Sequence, residues 1–146
     1  MDGLDAVLLL LALAFPAATM FAISRLSGWP RLASRYPDRG AARPRSLTLF
    51  GYGTMRGWVG YNGGLILGAD DAGLHVATWP VLMSWCHAPV FIPWTQIADL
   101  RAKRRLWKTY YRLDLKSAPD VDFALSAADV GLLRPWLEKA GVPVLD

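Results

Sequence analysis

Apolar residues follow three rhythms along this chain. Ala6 to Ile23 is an unbroken run of eighteen residues without a charge, and Thr19 is its lone hydroxyl. The run has no polar face, and it predicts a helix spanning about 27 Å against a hydrocarbon core of about 30 Å. Ten residues between Leu4 and Ile23 are Leu, Ile, Phe or Val. Together they favour insertion by about 3–6 kcal/mol. Pro16 is tolerable in a membrane helix and would kink it. Between residues 25 and 45 the apolar run gives way to arginines interrupted by Pro30, Pro37 and Pro44, which argue against a long regular helix. Trp29, Leu32, Ala33 and Tyr36 nevertheless sit at helical spacing, consistent with one short amphipathic turn. Trp29 and Tyr36 are ring types suited to a headgroup layer.

After Ser46 the rhythm shortens to that of strands. Ser46 to Tyr52 alternates roughly, with Leu47, Leu49 and Gly51 on one face. Gly57 to Tyr61 is a second candidate strand. Leu65 to Leu67 and Leu74 to Thr78 flank Ala69-Asp70-Asp71-Ala72-Gly73, a turn cluster, and so predict a hairpin. Val90 to Ile92 reads as a strand. Ile97 to Lys103 and Leu106 to Leu115 predict a second hairpin with a basic tip, and Val121 to Leu125 a last strand. A helix follows. Ser126 is its N-cap and Asp129 stands three residues on. Val130, Leu133, Leu137 and Ala140 form its apolar stripe. Pro135 should bend or split it, and Gly141 and Pro143 should end it.

The expected organisation is a transmembrane anchor over residues 1–24, a basic juxtamembrane linker over 25–45 and a mainly β domain over 46–146. Two other readings of the first segment fit its residues less well. A cleaved signal peptide calls for a basic start, whereas this chain begins Met1-Asp2-Gly3-Leu4-Asp5. A buried core helix calls for a polar face, which is missing.

Charge adds direction. Residues 24–56 hold seven Arg and one Asp, and residues 101–116 hold seven basic residues and one Asp. The rest of the chain has two basic and ten acidic residues. Two basic patches on an otherwise acidic chain point to an anionic neighbour, most simply a membrane surface. Arg25, Arg31, Arg35, Arg39, Arg43 and Arg45 follow the apolar run, and only aspartates precede it. The positive-inside bias therefore places the N-terminus outside and the C-terminal domain in the cytoplasm. The lone Cys86 agrees with a reducing compartment.

About seven strands closed by a C-terminal amphipathic helix resemble the pleckstrin-homology-like fold, a small barrel plugged by its last helix. Trp136 on that helix is similar to the Trp often found there. The apolar anchor, Ser27-Gly28-Trp29 with Leu32-Ala33 and Tyr36, Gly73-Leu74, and Ile92-Pro93-Trp94 with Ile97 resemble a group of small, uncharacterised bacterial membrane-anchored proteins. That resemblance implies the bacterial cytoplasmic membrane and a single-pass architecture. It brings no known activity.

Candidate chemistry is sparse. The chain has two histidines and one cysteine, without the repeated spacing a zinc site needs. Cys86-His87, read as part of a strand, would point to opposite faces, and His75 alternates with Leu74 and Val76 toward an outer face. Gly51, Gly53, Gly57, Gly60, Gly63 and Gly64 lack the helix that a phosphate-cradling loop requires, and read as bulges and bends. No catalytic, cofactor-binding or metal-binding residue is therefore expected, and no cofactor. The candidate contact surface is the basic hairpin: Arg101, Lys103, Arg104, Arg105 and Lys108 with Trp107. It suits anionic lipid or a protein partner. It suits single-stranded nucleic acid less well, because an anchored domain has the lipid surface nearer. A hairpin edge protected from aggregation by charge is the plain alternative. Ala14, Ala18 and Ala22 recur every four residues and would let another helix approach, as in an accessory subunit of a larger membrane complex. Residues 79–89, from Trp79 to Pro89, are apolar enough to be either a buried strand pair or a contact patch.

Overall fold

The structure is a computed structural model that describes residues 2–38, 46–79 and 83–146. Arg39, Arg43, Pro44, Arg45, Pro80, Val81 and Leu82 lie outside the described residues. Helix α1 spans Gly3–Ser27, and the Asp2 N–H donates to the Asp5 carboxylate at 3.2 Å across its first turn. Its most apolar stretch has a mean hydropathy of 2.4 and none of it is buried. Among the described residues, one helix is therefore long and apolar enough to cross a membrane. Pro16 does not interrupt it. Thr19 donates to the Phe15 carbonyl at 2.8 Å, so its hydroxyl is satisfied within the helix. Gly28 ends α1 at φ +82°, a left-handed conformation open to glycine.

Helix α2 (Trp29–Arg35) follows at once, with its Pro in the first turn, where the missing N–H costs nothing. Here the structure corrects the expected linker. Trp29 and Leu32 are fully buried and Tyr36 nearly so, all within the core of the domain. Trp29 and Tyr36 are thus core rings, not headgroup-layer rings. The Trp29 indole N–H donates to the Ala88 carbonyl at 2.9 Å, and the Tyr36 hydroxyl accepts the Ser117 N–H at 3.0 Å. Their partners come from segments some 59 and 81 residues away.

The domain is a curled eight-stranded half-barrel. Its strands are β1 (Ser46–Met55), β2 (Val59–Ala69), β3 (Gly73–Thr78), β4 (Val90–Pro93), β5 (Ile97–Arg105), β6 (Lys108–Leu115), β7 (Phe123–Ser126) and β8 (Val144–Leu145). The order across the sheet is β4-β3-β2-β1-β7-β6-β5-β8, and β8 alone pairs in parallel. Both expected hairpins form. The candidates at Gly57–Tyr61 and Leu65–Leu67 merge into β2. In the first half of β1, Leu47, Leu49 and Phe50 are exposed. The reason is local. Strand β7 covers β1 only at Gly53–Met55, and the register of β1 against β2 slips around Gly51. Gly53 is required where β1 meets β7, since a Cβ there would stand 2.8 Å from the Ala124 carbonyl oxygen.

Helix α3 (Ala127–Ala140) closes the core with Val130, Leu133 and Leu137, while Ala140 is exposed. Ser126 caps it by accepting the Asp129 N–H, and the Asp129 carboxylate accepts the Tyr52 N–H at 2.7 Å, tying the helix start to β1. Pro135 does not split α3. Pro135 and Gly131, the residue whose carbonyl loses its partner, are both exposed, so water can satisfy that carbonyl.

Candidate functional site

The basic hairpin turns through Leu106-Trp107, the most exposed large hydrophobic side chains among the described residues, at 78% and 79%. Leu106 holds φ +54°, a conformation that favours glycine. Across the hairpin, cations face each other in two places: Arg101 opposite Arg112, and Arg105 opposite Lys108. Like charges so placed destabilise a sheet. The two pairs are treated differently. Arg101 pairs with Asp99 at 3.1 Å and Arg112 with Asp122 at 3.3 Å, and Lys103 also reaches Asp122, at 3.4 Å. The Asp99 carboxylate, by hydrogen bond and charge, raises the Arg101 pKa further. Arg104, Arg105 and Lys108 have no carboxylate partner among the described residues. Arg105 instead donates to the Gly57 carbonyl, and the Lys108 ammonium stands 5.8 Å from the centre of the Tyr52 ring.

That bond joins the hairpin tip to the β1–β2 turn. Between them opens a cleft of about 340 Å³ lined in part by Trp58, Asn62, Arg105, Trp107, Lys108 and Tyr110. Trp58 is 58% exposed. The structure thus brings together Arg105, Trp107 and Lys108 of the expected set. It places Arg101 and Lys103 further down the strand, each in an ion pair. Trp58 and Asn62 were not foreseen: they belong to the β1–β2 turn and to β2, and share a cleft with the basic hairpin only because two distant hairpins come together.

The lip lies beside the base of α1. The side-chain Nε of Arg56, in the β1–β2 turn, is 3.6 Å from where a Cβ on Gly28 would stand. Nearby, a buried polar junction fastens α1 to the sheet. Ser24 donates to the Cys86 carbonyl at 2.6 Å, and the Tyr61 hydroxyl lies 3.0 Å from both Ser27 Oγ and His87 Nε2. His87 Nδ1 is 2.9 Å from the Met83 carbonyl, an acceptor. Nδ1 therefore carries the proton of the neutral ring and Nε2 accepts from Tyr61. Burial lowers the His87 pKa, with the Met83 carbonyl pulling back upward. Burial likewise pushes Tyr61 up to about 12, against the Ser27 hydrogen bond. Both groups are neutral at physiological pH.

Cys86 and His87 lie in a turn, not a strand, and their side chains approach to 3.3 Å rather than pointing to opposite faces. Burial raises the Cys86 pKa, which disfavours the thiolate. The Ser27, Tyr61 and His87 cluster has no carboxylate and is closed to solvent, so its evident role is to hold α1. His75 does occupy the outer face of β3, where it bonds Asp70 at 2.8 Å and packs against Phe91. Among the described residues no group of three His, Cys, Asp or Glu could hold a metal ion. Ala14, Ala18 and Ala22 are exposed along α1. Among the described residues of the 79–89 stretch, Trp79 is partly buried against Phe50 and Trp85 is exposed, and none lies in a strand inside the barrel. No protein-family model matches the chain, and no curated protein shows significant similarity to it.

Proposed function

We propose that this protein is a non-enzymatic module of the bacterial cytoplasmic membrane. Helix α1 spans the bilayer once, the N-terminus is outside, and a pleckstrin-homology-like domain rests on the cytoplasmic face. There it binds the phosphate-bearing headgroups of anionic lipids. The observation that supports this reading is the Arg105–Lys108 pair. Two cations face each other without a carboxylate, flanked by exposed Trp58 and Trp107, beside the base of the anchor. A lipid phosphate would relieve their repulsion, and the rings would enter the headgroup layer.

The test uses the full chain in nanodiscs of zwitterionic lipid alone or with anionic phosphatidylglycerol. Amide exchange across residues 103–110 should slow only in the anionic discs, and salt should reverse the effect. Removing both charges in Arg105→Ala/Lys108→Ala removes about 1 kcal/mol each, a loss of about thirtyfold in affinity. Equal exchange in both disc types would refute headgroup binding. A second reading, an accessory subunit docked through Ala14, Ala18 and Ala22, draws on the exposure of that face. It predicts co-extraction with a larger complex in mild detergent, and a monomer would count against it.

A further inference from the structure

The turn at Met83–His87 runs alongside the last turns of α1. Its chain descends in step with the helix: Trp85 stacks on Phe21 with ring centres 6.3 Å apart, the Cys86 carbonyl meets Ser24, and the Ala88 carbonyl meets Trp29. Trp85 is therefore level with Phe21. Phe21 lies two residues inside Ile23, the end of the uncharged run, and so about 3 Å further along the helix axis. We infer that this turn is a second membrane-contacting element, whose Trp85 enters the boundary between headgroups and hydrocarbon of the bilayer that α1 spans. This rests on the anchor reading given above but not on the basic lip.

Two further observations select lipid as the occupant. Residues 83–89 include no Asp, Glu, Lys or Arg, and their histidine is buried in the neutral form. Three of its carbonyls are also satisfied from within. The Met83 carbonyl accepts from His87, that of Cys86 from Ser24, and that of Ala88 from Trp29. Each such bond removes one unsatisfied backbone group, which in a bilayer would cost several kcal/mol. Trp85 itself is 55% exposed, in continuity with the exposed apolar shaft of α1.

The test is depth-dependent quenching. In a Cys86→Ala background, the full chain carries an environment-sensitive fluorophore on a cysteine at Trp85, Ser84, Leu11 or Leu132. Each protein is placed in phosphatidylcholine vesicles whose lipids bear bromine near the headgroup or near the chain end. The Trp85 and Ser84 probes should be quenched most by shallow bromine and little by aqueous iodide. The Leu11 probe, in mid-helix, should respond to deep bromine, and the Leu132 probe, exposed on α3, to iodide alone. Two positions in the turn guard against one that disturbs packing. If the Leu11 probe responds as expected but both turn probes respond to iodide, the inference fails while the anchor stands. Turn probes shielded from bromine and iodide alike would reveal a protein cover and also overturn it. Loss of the Leu11 response would overturn the anchor itself.

Discussion

Tyr61 illustrates how one hydroxyl joins elements that are remote in sequence. Its ring is buried, and its oxygen meets Ser27 and His87. Tyr61→Phe strands the buried His87 ring nitrogen, and should destabilise the protein by about 1–3 kcal/mol, read from thermal unfolding in detergent. His87 adds a pH dependence with a definite sign. Its folded pKa is below the ordinary value of about 6.5, so the unfolded chain takes up a proton that the folded chain refuses. Stability is full above that value and falls as pH drops from it toward the lower folded value. His87→Gln should flatten the slope in that window, and an unchanged slope would mean another group is responsible. Asp70 acts in a more acidic range. Burial would raise its pKa, but bonds from His75 and the N–H groups of Ala72 and Gly73 prevail and lower it. Its contribution is thus lost as pH falls below the ordinary aspartate range. None of these roles was visible locally. A serine after an apolar run and a histidine after a cysteine are ordinary, and only a contact spanning 26 residues or more gives them meaning.

At the scale of elements, alternation and turn clusters made both hairpins legible, and Ser126 with Asp129 marked the start of α3 because capping is a local interaction. The segment after α1 was read as a linker because three prolines argue against a long helix. A seven-residue helix with its proline in the first turn escapes that argument. The burial of Trp29 depends on the carbonyl of Ala88, which no local pattern encodes. The hairpin tip was legible as basic, but not as a cleft. Its strained Leu106 offers a separable prediction. Leu106→Gly relieves a left-handed conformation and should stabilise the protein in detergent by about 1 kcal/mol. It should also weaken binding to anionic nanodiscs by removing an exposed apolar side chain. Greater stability without weaker binding would show that Leu106 does not touch lipid. At the strand crossing, Gly53→Ala forces a Cβ against the Ala124 carbonyl and Leu65, and should cost about 1–3 kcal/mol in unfolding experiments.

For the molecule as a whole, the account joins a long exposed apolar helix to a half-barrel whose core includes the residues just after that helix. The buried junction of Ser24, Ser27, Trp29, Tyr61 and His87 makes α1 and domain one unit, and under the proposed membrane reading it would hold the lip and the Trp85 turn at fixed heights. The mainly β class, the single apolar helix and the closing C-terminal helix could be read from periodicity alone. The way the sheet curls, and which side of it adjoins α1, could not, because both depend on pairing between distant strands. All of this depends on α1 residing in the bilayer. The most direct measurement is alkaline extraction of native membranes, followed by the intact mass of the protein. The account predicts the full-length chain in the membrane pellet. Release of the intact protein into the wash, or a mature product lacking α1, would contradict it.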